Sequence, residues 1–480
     1  MRIFILSVIA AALLSGCVKE KMITDNEGVN KWVYHTMKQE YLWSSSLDNY
    51  APSSLSPDQY LETVRYRDNC FTALSHDYYG DRFSSISRKR AASRAVSSED
   101  YAYDFGFSFY EYEASDGRDI AYGQVIYVVP GSPADRAGIR RGDNFNAVEV
   151  EAVKREMPLS RDELHGLMAN HTVKLHMFYP EKRVVEVEKG LYLDNPVIFD
   201  SIYETAAGKT AYLVYNHFTS GQNDRFDDKL KDIFAQFKSE GARNLILDLR
   251  YNRGGELGTT VLLGSLIARE SDLGKPFVYL ERNVHRGKSY HDYDIKRFHS
   301  VAALGGEYNL NVDRLYIITL SSSASASEMV LHCLKPYFGE DLGHVGQKTY
   351  GKNVGSVVIT NPRYEWEISL ITLRAYDCNG VSGYEKGIPV DPASRSSYET
   401  GEESYLYDKG SATWFSTIGD FGEIGVKNSE RMLKAVITHI DRGVWPVRAR
   451  SEDVVRDGVE EKTIFPDREG GLIEERRIVF

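Results

Sequence analysis

Residues 244–255 read Asn-Leu-Ile-Leu-Asp-Leu-Arg-Tyr-Asn-Arg-Gly-Gly. The mostly apolar run 244–249 is typical of a buried strand, and the two glycines then open a helix that the pattern extends to Ala268. Outward from this stretch, strands are predicted at 211–215, 277–280 and 315–320, and an amphipathic helix at 224–237. Alternation of strands and helices predicts an α/β core.

The composition limits the classes of function. The chain has 480 residues, with 58 Lys and Arg against 69 Asp and Glu, so its formal net charge is −11. This length is typical of two to four domains with at least one large core. An acidic surplus argues against nucleic acid as a partner, because neutralising phosphates needs excess Lys and Arg. With 42% apolar and 26% charged residues, the chain is predicted to be globular.

The chain starts with a targeting segment. The apolar run from Ile3 to Leu14 has 12 residues, whereas a membrane span needs about 20. It ends in Leu14-Ser15-Gly16-Cys17, which resembles the lipobox of bacterial lipoproteins. The resemblance implies that Cys17 is acylated and anchors the mature protein to a lipid bilayer in an extracytoplasmic compartment, periplasmic or at the cell surface. The alternative is a plain signal peptide with a coincidental cysteine.

The other cysteines and histidines give no sign of a metal. Cys70, Cys333 and Cys378 are odd in number and widely spaced, so neither a disulfide framework nor a structural metal is predicted. A polar segment contains His285, His291, Asp292, Asp294 and His299. It lacks the regular spacing of metal ligands, and we interpret it as a solvated insertion.

The N-terminal part is predicted to be helical. After a polar tether over 18–28, residues 32–43 have helical apolar spacing. A second helix opens at the capping box Ser56-Pro57-Asp58-Gln59, and its pattern reaches Leu74. The polar run 87–100 is predicted to be a linker.

The next segment is rich in β-strand signals and resembles a PDZ domain. The resemblance rests on Phe105-Gly106-Phe107, on residues 131–134 and 137–139, and on Gly142-Asp143. It implies that the glycine-bearing loop binds the terminal carboxylate of a peptide, which adds as a strand. The Asn-Gly turn usual after the Gly-Asp pair is absent, so the downstream strands are less well defined. The alternative is a small β module without a peptide groove.

Three motifs in the α/β core carry chemistry. The glycines after Asp248 can turn backbone N–H groups toward an anion, although a tight turn would use the same residues. Residues 321–328 read Ser-Ser-Ser-Ala-Ser-Ala-Ser-Glu and place serines between a strand and a helix. Such a serine is an exposed nucleophile or, since Ser325-x-x-Glu328 is a capping box, only a helix cap. Lys352 in Thr-Tyr-Gly-Lys becomes a base only if burial lowers its pKa from about 10.4.

Together these motifs resemble the C-terminal processing (tail-specific) peptidases, the S41 serine proteases. Asp81-Arg82-Phe83-Ser84 and residues 387–391 resemble further motifs of that family. The resemblance implies a crotonase-like ββα protease core without metal or cofactor. It also implies residue roles: Ser325 as nucleophile, Lys352 as general base, and an oxyanion hole from the N–H of Ala326 and of either Gly254 or Gly255.

One departure concerns the residue that orients the lysine. The family usually has a Gln shortly after the catalytic Lys. In a direct alignment the corresponding residue here is Ser356, and with Asn353-Val354 as an insertion it is Val358, so the Gln is absent in both cases. We expect Ser356 or Asn353 to take over this role.

The predicted organisation has six parts. They are a lipoprotein signal peptide (1–16), a tether (17–28), an N-terminal helical unit (29–95), a PDZ domain (96–188), the S41 core (189–445) and a C-terminal extension (446–480). The sequence predicts no particular oligomeric state.

Three functions stay open. The first is a serine endopeptidase that recognises the C-terminal tails of protein substrates. The second is a pseudo-protease that only binds peptide or apolar ligands. The third is a Ser-His-Asp hydrolase using His217 and Asp248. The chain's own end, 478–480, is either a ligand of the PDZ groove or a terminal strand of the core.

Overall fold

The computed structural model describes residues 23–65, 80–89, 100–114, 119–283, 294–390, 424–426, 430–443, 445, 463–464 and 478–479. The helices within these ranges are α1 (Asn26–Glu40), α2 (Pro57–Val64), α3 (Pro133–Arg136), α4 (Arg161–Met168), α5 (Arg225–Ser239), α6 (Leu257–Ile267), α7 (Val301–Leu304), α8 (Ala326–Phe338) and α9 (Arg431–Arg442). The first ten strands are β1 (Ser85–Arg88), β2 (Tyr101–Asp104), β3 (Phe107–Glu113), β4 (Ile120–Val128), β5 (Asn144–Val150), β6 (Val153–Glu156), β7 (Thr172–Tyr179), β8 (Arg183–Glu188), β9 (Gly190–Leu193) and β10 (Val197–Thr205). The other ten are β11 (Gly208–Tyr215), β12 (Asn244–Asp248), β13 (Pro276–Arg282), β14 (Asp294–Arg297), β15 (Arg314–Thr319), β16 (Leu342–Gly346), β17 (Val354–Thr360), β18 (Trp366–Tyr376), β19 (Thr463–Ile464) and β20 (Ile478–Val479).

The central sheet confirms the predicted α/β alternation. Its strand order is β10-β11-β12-β15-β16, and all its pairs are parallel except β10 with β11. Asp248 at the end of β12 is in register with Ile318 near the end of β15. Because carboxyl ends of parallel strands meet at one edge, the loop after Asp248 and the serine-rich turn after β15 lie side by side.

Both faces of this sheet are buried, which explains the continuous apolar character of its strands. One face packs against α5, α6 and α8, and the large side chains of this core include Phe234, Phe237 and Phe277. The other face packs against α9 and against residues of β3 and β4. The loops that follow the carboxyl ends of β12 and β15 therefore start from strands that are held on both faces.

The N-terminal helices pack on a second sheet, of order β14-β13-β18-β17-β20. Val29, Val33 and Met37 of α1 share a core with Ile368 and Leu370 of β18. Helix α1 begins at Asn26, earlier than predicted, because the Asp25 side chain accepts a hydrogen bond from Gly28 N–H at 2.7 Å.

Two sequence-based boundaries in this part were wrong. Helix α2 ends at Val64 because Arg65 is already extended, with φ −67° and ψ 149°. Ser87 and Arg88, assigned to a linker, belong to β1, which pairs antiparallel with β18. The partner strand lies about 280 residues away in the chain, so no local pattern could show it.

A β-rich module (residues 100–193) contributes six strands to a seven-stranded sheet of order β19-β3-β4-β5-β7-β8, with β6 paired to β5 and β19 added from residues 463–464. Its short helix α3 ends just before Gly138, whose φ is +79° as expected for a left-handed helix end. The β5–β6 turn has no Gly, and Glu151 and Ala152 adopt positive φ values of 51° and 64° instead. This turn replaces the missing Asn-Gly turn.

Two short strands near the end of the chain pair with two different sheets, the second sheet and the sheet of the β-rich module. Ile478 and Val479 form β20, antiparallel to β17, in accord with the terminal-strand interpretation. Thr463 and Ile464 form β19 on the outer edge of β3. The outer edge of β3 in the β-rich module is therefore occupied by residues 463–464. The chain end 478–480, which was considered as a ligand of the PDZ groove, pairs with β17 instead.

Several predicted features lie outside the described residues, namely the targeting segment, Cys17, Cys70, His285, His291 and Asp292. Cys333 and Cys378 are free thiols. Within the described ranges, no helix has the length and hydropathy to cross a bilayer. The same ranges contain no group of three or more His, Cys, Asp or Glu side chains that could hold a metal ion.

Candidate active site

The turn between β15 and α8 places Ser325 in a strained conformation. Ser325 has φ 64° and ψ −112°, values that non-glycine residues rarely adopt. Ser325 and Glu328 have the arrangement of a capping box, but the Ser325 side chain makes no cap hydrogen bond, and its buried Oγ has no partner among the described residues. The turn therefore does more than cap a helix, because a cap would satisfy this hydroxyl.

The Glu328 carboxylate joins the serine turn to the lysine loop. Its Oε2 accepts from Ser325 N–H and from Lys352 N–H, each at 2.8 Å. Its Oε1 accepts from Thr349 Oγ1 and from Gly351 N–H, each at 2.6 Å. Burial raises the pKa of this carboxyl, and the four donors act against that rise. One side chain thus fixes the main chain of Ser325 beside that of Lys352.

Lys352 is surrounded by protein atoms although part of its surface stays accessible. Its Nζ lies 5.5 Å from the centre of the Phe83 ring. Burial lowers the pKa of Lys352 to about 8, Glu328 and Asp81 oppose the shift, and the charge of Arg253 adds to it. The amine is therefore neutral in a large fraction of molecules near pH 8.

Arg82 holds the lysine loop from the side of the N-terminal unit. Its Nη2 donates to the carbonyls of Gly351 at 3.1 Å and Glu385 at 3.4 Å. Its guanidinium lies 5.0 Å from the Phe83 ring and 5.1 Å from the Tyr350 ring. The motif that the sequence analysis placed only by resemblance therefore forms a wall around Lys352.

The preceding residue, Asp81, shapes this wall. Its carboxylate accepts from the Tyr41 hydroxyl at 2.7 Å and from the N–H groups of Phe83 at 3.0 Å and Ser84 at 2.9 Å. The Ser84 hydroxyl accepts from Ile371 N–H at 3.0 Å. These contacts tie residues 81–84 to α1 and β18, so the aromatic face beside the amine is fixed.

The loop after β12 is bonded directly to the serine turn. Asn252 O accepts from Ala324 N–H at 3.2 Å and from Ser327 Oγ at 2.9 Å. Asn252 Oδ1 accepts from Gly254 N–H at 2.8 Å, and Gly254 O accepts from Phe218 N–H at 3.0 Å. Gly254 N–H is thus already engaged within the loop.

Gly255 is the other candidate donor of the pair. Its φ is +147°, and a Cβ there would lie 2.0 Å from Phe218 O, so only glycine fits. In the described part of the chain neither Gly255 N–H nor Ala326 N–H has an acceptor. Both are available to an anion beside Ser325.

Neither candidate for orienting the lysine reaches its amine. The Asn353 amide donates to Ser382 Oγ at 3.0 Å and to Glu385 Oε1 at 2.8 Å. Ser356 lies in β17 opposite Ile371. Among the described residues, no hydrogen bond joins Lys352 Nζ to either side chain.

The Asp248 carboxylate is engaged away from His217. Its oxygens accept from Arg250 Nε at 2.9 and 3.0 Å, from Arg250 Nη2 at 2.6 Å and from the Tyr212 hydroxyl at 2.7 Å. His217 is half-buried beside Phe218. These contacts give no support to a relay from Asp248 through His217.

The loop expected to bind a peptide terminus joins β2 to β3. Gly106 has φ +82°, and a Cβ there would lie 2.2 Å from the Ser132 Cβ. Phe105 O accepts from Ala134 N–H at 2.8 Å, and Phe107 begins β3. The N–H groups of Phe105 and Gly106 have no acceptor among the described residues.

The β-rich module contacts the glycine loop through Arg141. Its guanidinium donates to the Tyr251 hydroxyl and to Ile126 O, and its Cζ lies 5.7 Å from the centre of the Tyr251 ring. Tyr251 stands next to Asn252, whose contacts hold the serine turn. The β-rich module therefore contacts the loop whose next residue, Asn252, is bonded to the serine turn.

Known protein families match two parts of this chain. The sequence profile described as peptidase family S41 matches residues 209–393. The profile of the peptidase S41 N-terminal domain matches residues 28–85, and together the two cover about half of the chain. The chain belongs to peptidase family S41.

Two curated relatives of this S41 family member are proteases by description. A protein of Staphylococcus aureus (strain bovine RF122 / ET3-1), described as a CtpA-like serine protease, is 27% identical over 302 residues, 60% of this chain and 56% of that protein. A carboxyl-terminal-processing protease of Picosynechococcus sp. (strain ATCC 27264 / PCC 7002 / PR-6) is 27% identical over 238 residues, 48% of this chain and 51% of that protein. The chain thus spans about half the length of these relatives.

A solved structure supports the fold of this S41 chain. A crystal structure of a candidate S41 protease from Bacteroides fragilis NCTC 9343 superposes with a TM-score of 0.64 at 23% identity, covering 85% of this chain and 96% of the other. The mixed α/β fold is therefore that of S41 protease structures.

If Gly255 N–H serves as an oxyanion donor, replacing Gly255 with Ala is expected to lower the kcat for peptide hydrolysis by at least about 100-fold, since the added Cβ would meet Phe218 O and displace this N–H. The matched control is Gly258→Ala on α6, where a Cβ meets no atom within 4 Å. The control should retain activity and stability. Equal kcat values for the two variants would contradict a role for Gly255 N–H.

The sequence analysis missed two contributors to this site. Glu328 was interpreted only as part of a helix cap, whereas it also holds the lysine loop. Phe83 was noted only within a family motif, and it supplies the apolar face beside Lys352. No local pattern marks either role, because both depend on contacts between distant parts of the chain.

Proposed function

We propose that this chain is a serine endopeptidase that cleaves proteins through an acyl-enzyme at Ser325, with Lys352 as general base. The observation that carries the proposal is the shared Glu328 oxygen, which accepts from the main chain of both residues at 2.8 Å. An unpartnered Ser325 hydroxyl and a lysine with a pKa of about 8 are the two reactants of such a dyad.

In the first step, neutral Lys352 removes the proton of Ser325 Oγ as this oxygen attacks the carbonyl carbon of the substrate. Negative charge develops on the carbonyl oxygen. Gly255 N–H and Ala326 N–H are proposed to donate to this oxygen, and the start of α8 adds a favourable dipole.

In the second step, the protonated Lys352 gives its proton to the leaving amine, and the carbon–nitrogen bond breaks. This leaves an ester between Ser325 and the acyl part of the substrate. Water then attacks the ester with Lys352 again as the base, which releases the acid and restores the serine. The steps require no metal or cofactor.

The pH dependence of hydrolysis tests the lysine. The neutral amine is the reactive form, so activity should rise with pH through the pKa of about 8. Between pH 7 and 9 the neutral fraction, and with it kcat/KM on an unfolded protein reporter, should increase about tenfold.

The same assay includes EDTA, which should leave the rate unchanged. A rate that falls on chelation and returns with zinc would assign the chemistry to a metal. A rate independent of pH between 7 and 9 would remove Lys352 as the base.

We also propose finer assignments for the architecture. Residues 96–188 would be a PDZ domain and residues 189–445 a crotonase-like core, preceded by the helical unit 29–95 and followed by the extension 446–480. The positive φ of Gly106 and the N–H groups of its loop support a carboxylate site in the module.

We propose that this module recognises the C-terminal tail of the substrate. A tail added to the edge of β3 has to displace β19, which pairs there through Thr463 and Ile464. A reporter with a free C-terminus should therefore be cleaved faster than the same reporter with an amidated end. Equal rates would argue against recognition of the terminal carboxylate.

We propose that acylated Cys17 tethers the protein to a membrane on its extracytoplasmic side. Support comes from the charged start, the short apolar run and the Leu-Ser-Gly-Cys sequence. Metabolic labelling with a fatty acid tests this tether, and the label should be lost in Cys17→Ala.

A specific observation favours the pseudo-protease as the second candidate. No hydrogen bond to Lys352 Nζ is found among the described residues, and the family's Gln is absent. A chain that binds unfolded peptide without cleaving it at any pH from 7 to 10 would establish this alternative.

A further inference from the structure

Tyr350 is an exposed aromatic residue in the lysine loop. It is 44% exposed, whereas its neighbours Thr349 and Gly351 are buried. The main chain on both sides of the ring is fixed, because Tyr350 N–H donates to Ser323 O at 3.0 Å and Gly351 N–H donates to Glu328 Oε1 at 2.6 Å. The lysine loop therefore presents one aromatic ring to solvent from a main chain that is bonded to the serine turn.

This ring stands next to the aromatic face beside the proposed base. The centre of the Tyr350 ring lies 6.2 Å from that of the Phe83 ring, and the Phe83 ring centre lies 5.5 Å from Lys352 Nζ. Together these two steps are no longer than about three residues of an extended chain. Ser323, which accepts from Tyr350 N–H, lies two residues before Ser325. A substrate side chain close to the scissile bond can therefore reach the ring.

The charges beside the ring limit which side chains it can accept. The Cζ of Arg82 lies 5.1 Å from the centre of the Tyr350 ring, and its Nη2 donates to the carbonyls of Gly351 and Glu385. One cation thus already stands at the ring, and Lys352 supplies a second when its amine is protonated. Both would repel a Lys or Arg side chain of the substrate. An aromatic or large aliphatic side chain would instead remove apolar surface of both partners from water.

We infer that Tyr350 is a specificity-determining residue that binds an aromatic or large aliphatic side chain of the substrate within about three residues of the scissile bond. This inference rests on the proposed peptidase function and adds a substrate class to it. The ring contacts a substrate side chain and not the reacting atoms, so it should bind equally well in the ground state and in the transition state. The preference for such a side chain should therefore appear as a lower KM.

The test uses the full chain and one reporter peptide with a single cleaved bond. Phe, Leu, Ala, Lys or Glu is placed in turn at each of the three positions on either side of this bond, and the C-terminal tail is kept constant. At one of these positions we expect kcat/KM to be about tenfold higher for Phe than for Ala, through a lower KM. The Leu peptide should lie between them, and the Lys peptide should have the lowest value.

Variants of Tyr350 show whether the ring is the cause. Tyr350→Ala should reduce the Phe-to-Ala ratio at that position to about one, whereas Tyr350→Phe should retain it because the ring is kept. Both variants keep the main-chain bond to Ser323 O. Tyr350→Gln has a long side chain without a ring, so it should also lose the ratio, and it replaces Tyr350→Ala if that chain does not fold. A merely displaced lysine loop would lower kcat for every peptide alike and leave the ratio unchanged.

The matched control is Tyr101→Ala. Tyr101 is a comparably exposed tyrosine, at 37%, but it lies on β2 in the β-rich module. This variant should retain the Phe-to-Ala ratio of the wild type. Loss of the ratio in the control as well would show that the preference does not arise at Tyr350 and would contradict the inference.

An unchanged ratio in Tyr350→Ala and Tyr350→Gln overturns the inference, as does a wild type that prefers Glu to Phe or has no preference at any position. Binding of the same peptides to Ser325→Ala, measured by fluorescence anisotropy, separates the inference from the proposed function. If the wild type cleaves no peptide, the peptidase proposal fails. A preference for Phe in binding that is lost when Tyr350→Ala is added still supports the inference, and the absence of that preference overturns it.

Discussion

Replacing Ser325 with Ala is expected to reduce the kcat for peptide hydrolysis by at least about 10⁴-fold. The change removes the only oxygen proposed to form the acyl-enzyme. The fold should be unaffected, because Oγ makes no hydrogen bond in the described part of the chain and the main-chain contact to Glu328 is retained. The rates are measured on an unfolded reporter under single-turnover conditions.

The control for this variant is Ser321→Ala in the same turn. Ser321 is exposed, and its contact to Gln347 is made by the main-chain N–H at 3.0 Å. This control should retain full activity. A Ser325→Ala chain that cleaves the reporter at the wild-type rate would exclude Ser325 as nucleophile.

Lys352→Ala should cause a loss of similar size, since the serine is a poor nucleophile without a base. The double variant should be hardly worse than either single variant, because the two residues are proposed to act as a unit. Losses that multiply in the double variant would show that the two side chains act independently.

Replacing Arg250 with Met is expected to lower the free energy of unfolding by about 3–5 kcal/mol. Arg250 is 1% exposed and pairs with Asp248 at 2.6 Å and with Glu430 at 2.9 Å. Burial opposes ionisation of Glu430, but the Arg250 guanidinium, together with the charge of Arg141 and the hydrogen bond from Leu433 N–H, outweighs it, and the pKa of that carboxyl lies below its usual range. The variant leaves two buried carboxylates without their cation.

A second consequence concerns α9. The Glu430 carboxylate also accepts from Met432 N–H at 3.3 Å and Leu433 N–H at 2.6 Å, so it caps this helix. Loss of Arg250 should loosen α9 as well, and hydrogen exchange of residues 431–442 should report it.

The stability control is Arg243→Met, which breaks the exposed pair with Asp313. An exposed pair is worth at most about 1 kcal/mol, so the urea midpoint should hardly change. A comparable midpoint for Arg250→Met would mean that the buried pair contributes no more than a surface pair.

The pattern of the sequence predicted the elements whose stability is local or whose apolar spacing is regular. Helix α5 was predicted at 224–237 and spans Arg225–Ser239, because its apolar residues recur on one face that packs on the central sheet. The strands β11, β12 and β15 were found because both faces of their sheet are buried. In contrast, β1 has largely exposed residues, and only its pairing with β18 makes it a strand.

The candidate site divides in the same way, into residues that the sequence indicated and properties that only the packed structure determines. The sequence offered Ser325, Lys352 and the glycine pair as candidates, because residue type and position at the ends of strands are local properties, and the resemblance to S41 peptidases supplied the roles proposed for them. Tertiary structure decided which of the two glycine N–H groups is available: Gly254 N–H is bonded to Asn252 Oδ1, whereas Gly255 N–H has no acceptor in the described residues. It also decided the pKa of Lys352, since burial beside Phe83 and the contacts of Glu328 join segments that are far apart in the chain. Burial and hydrogen-bond partners are properties of the packed molecule, so no local pattern of residues could determine them.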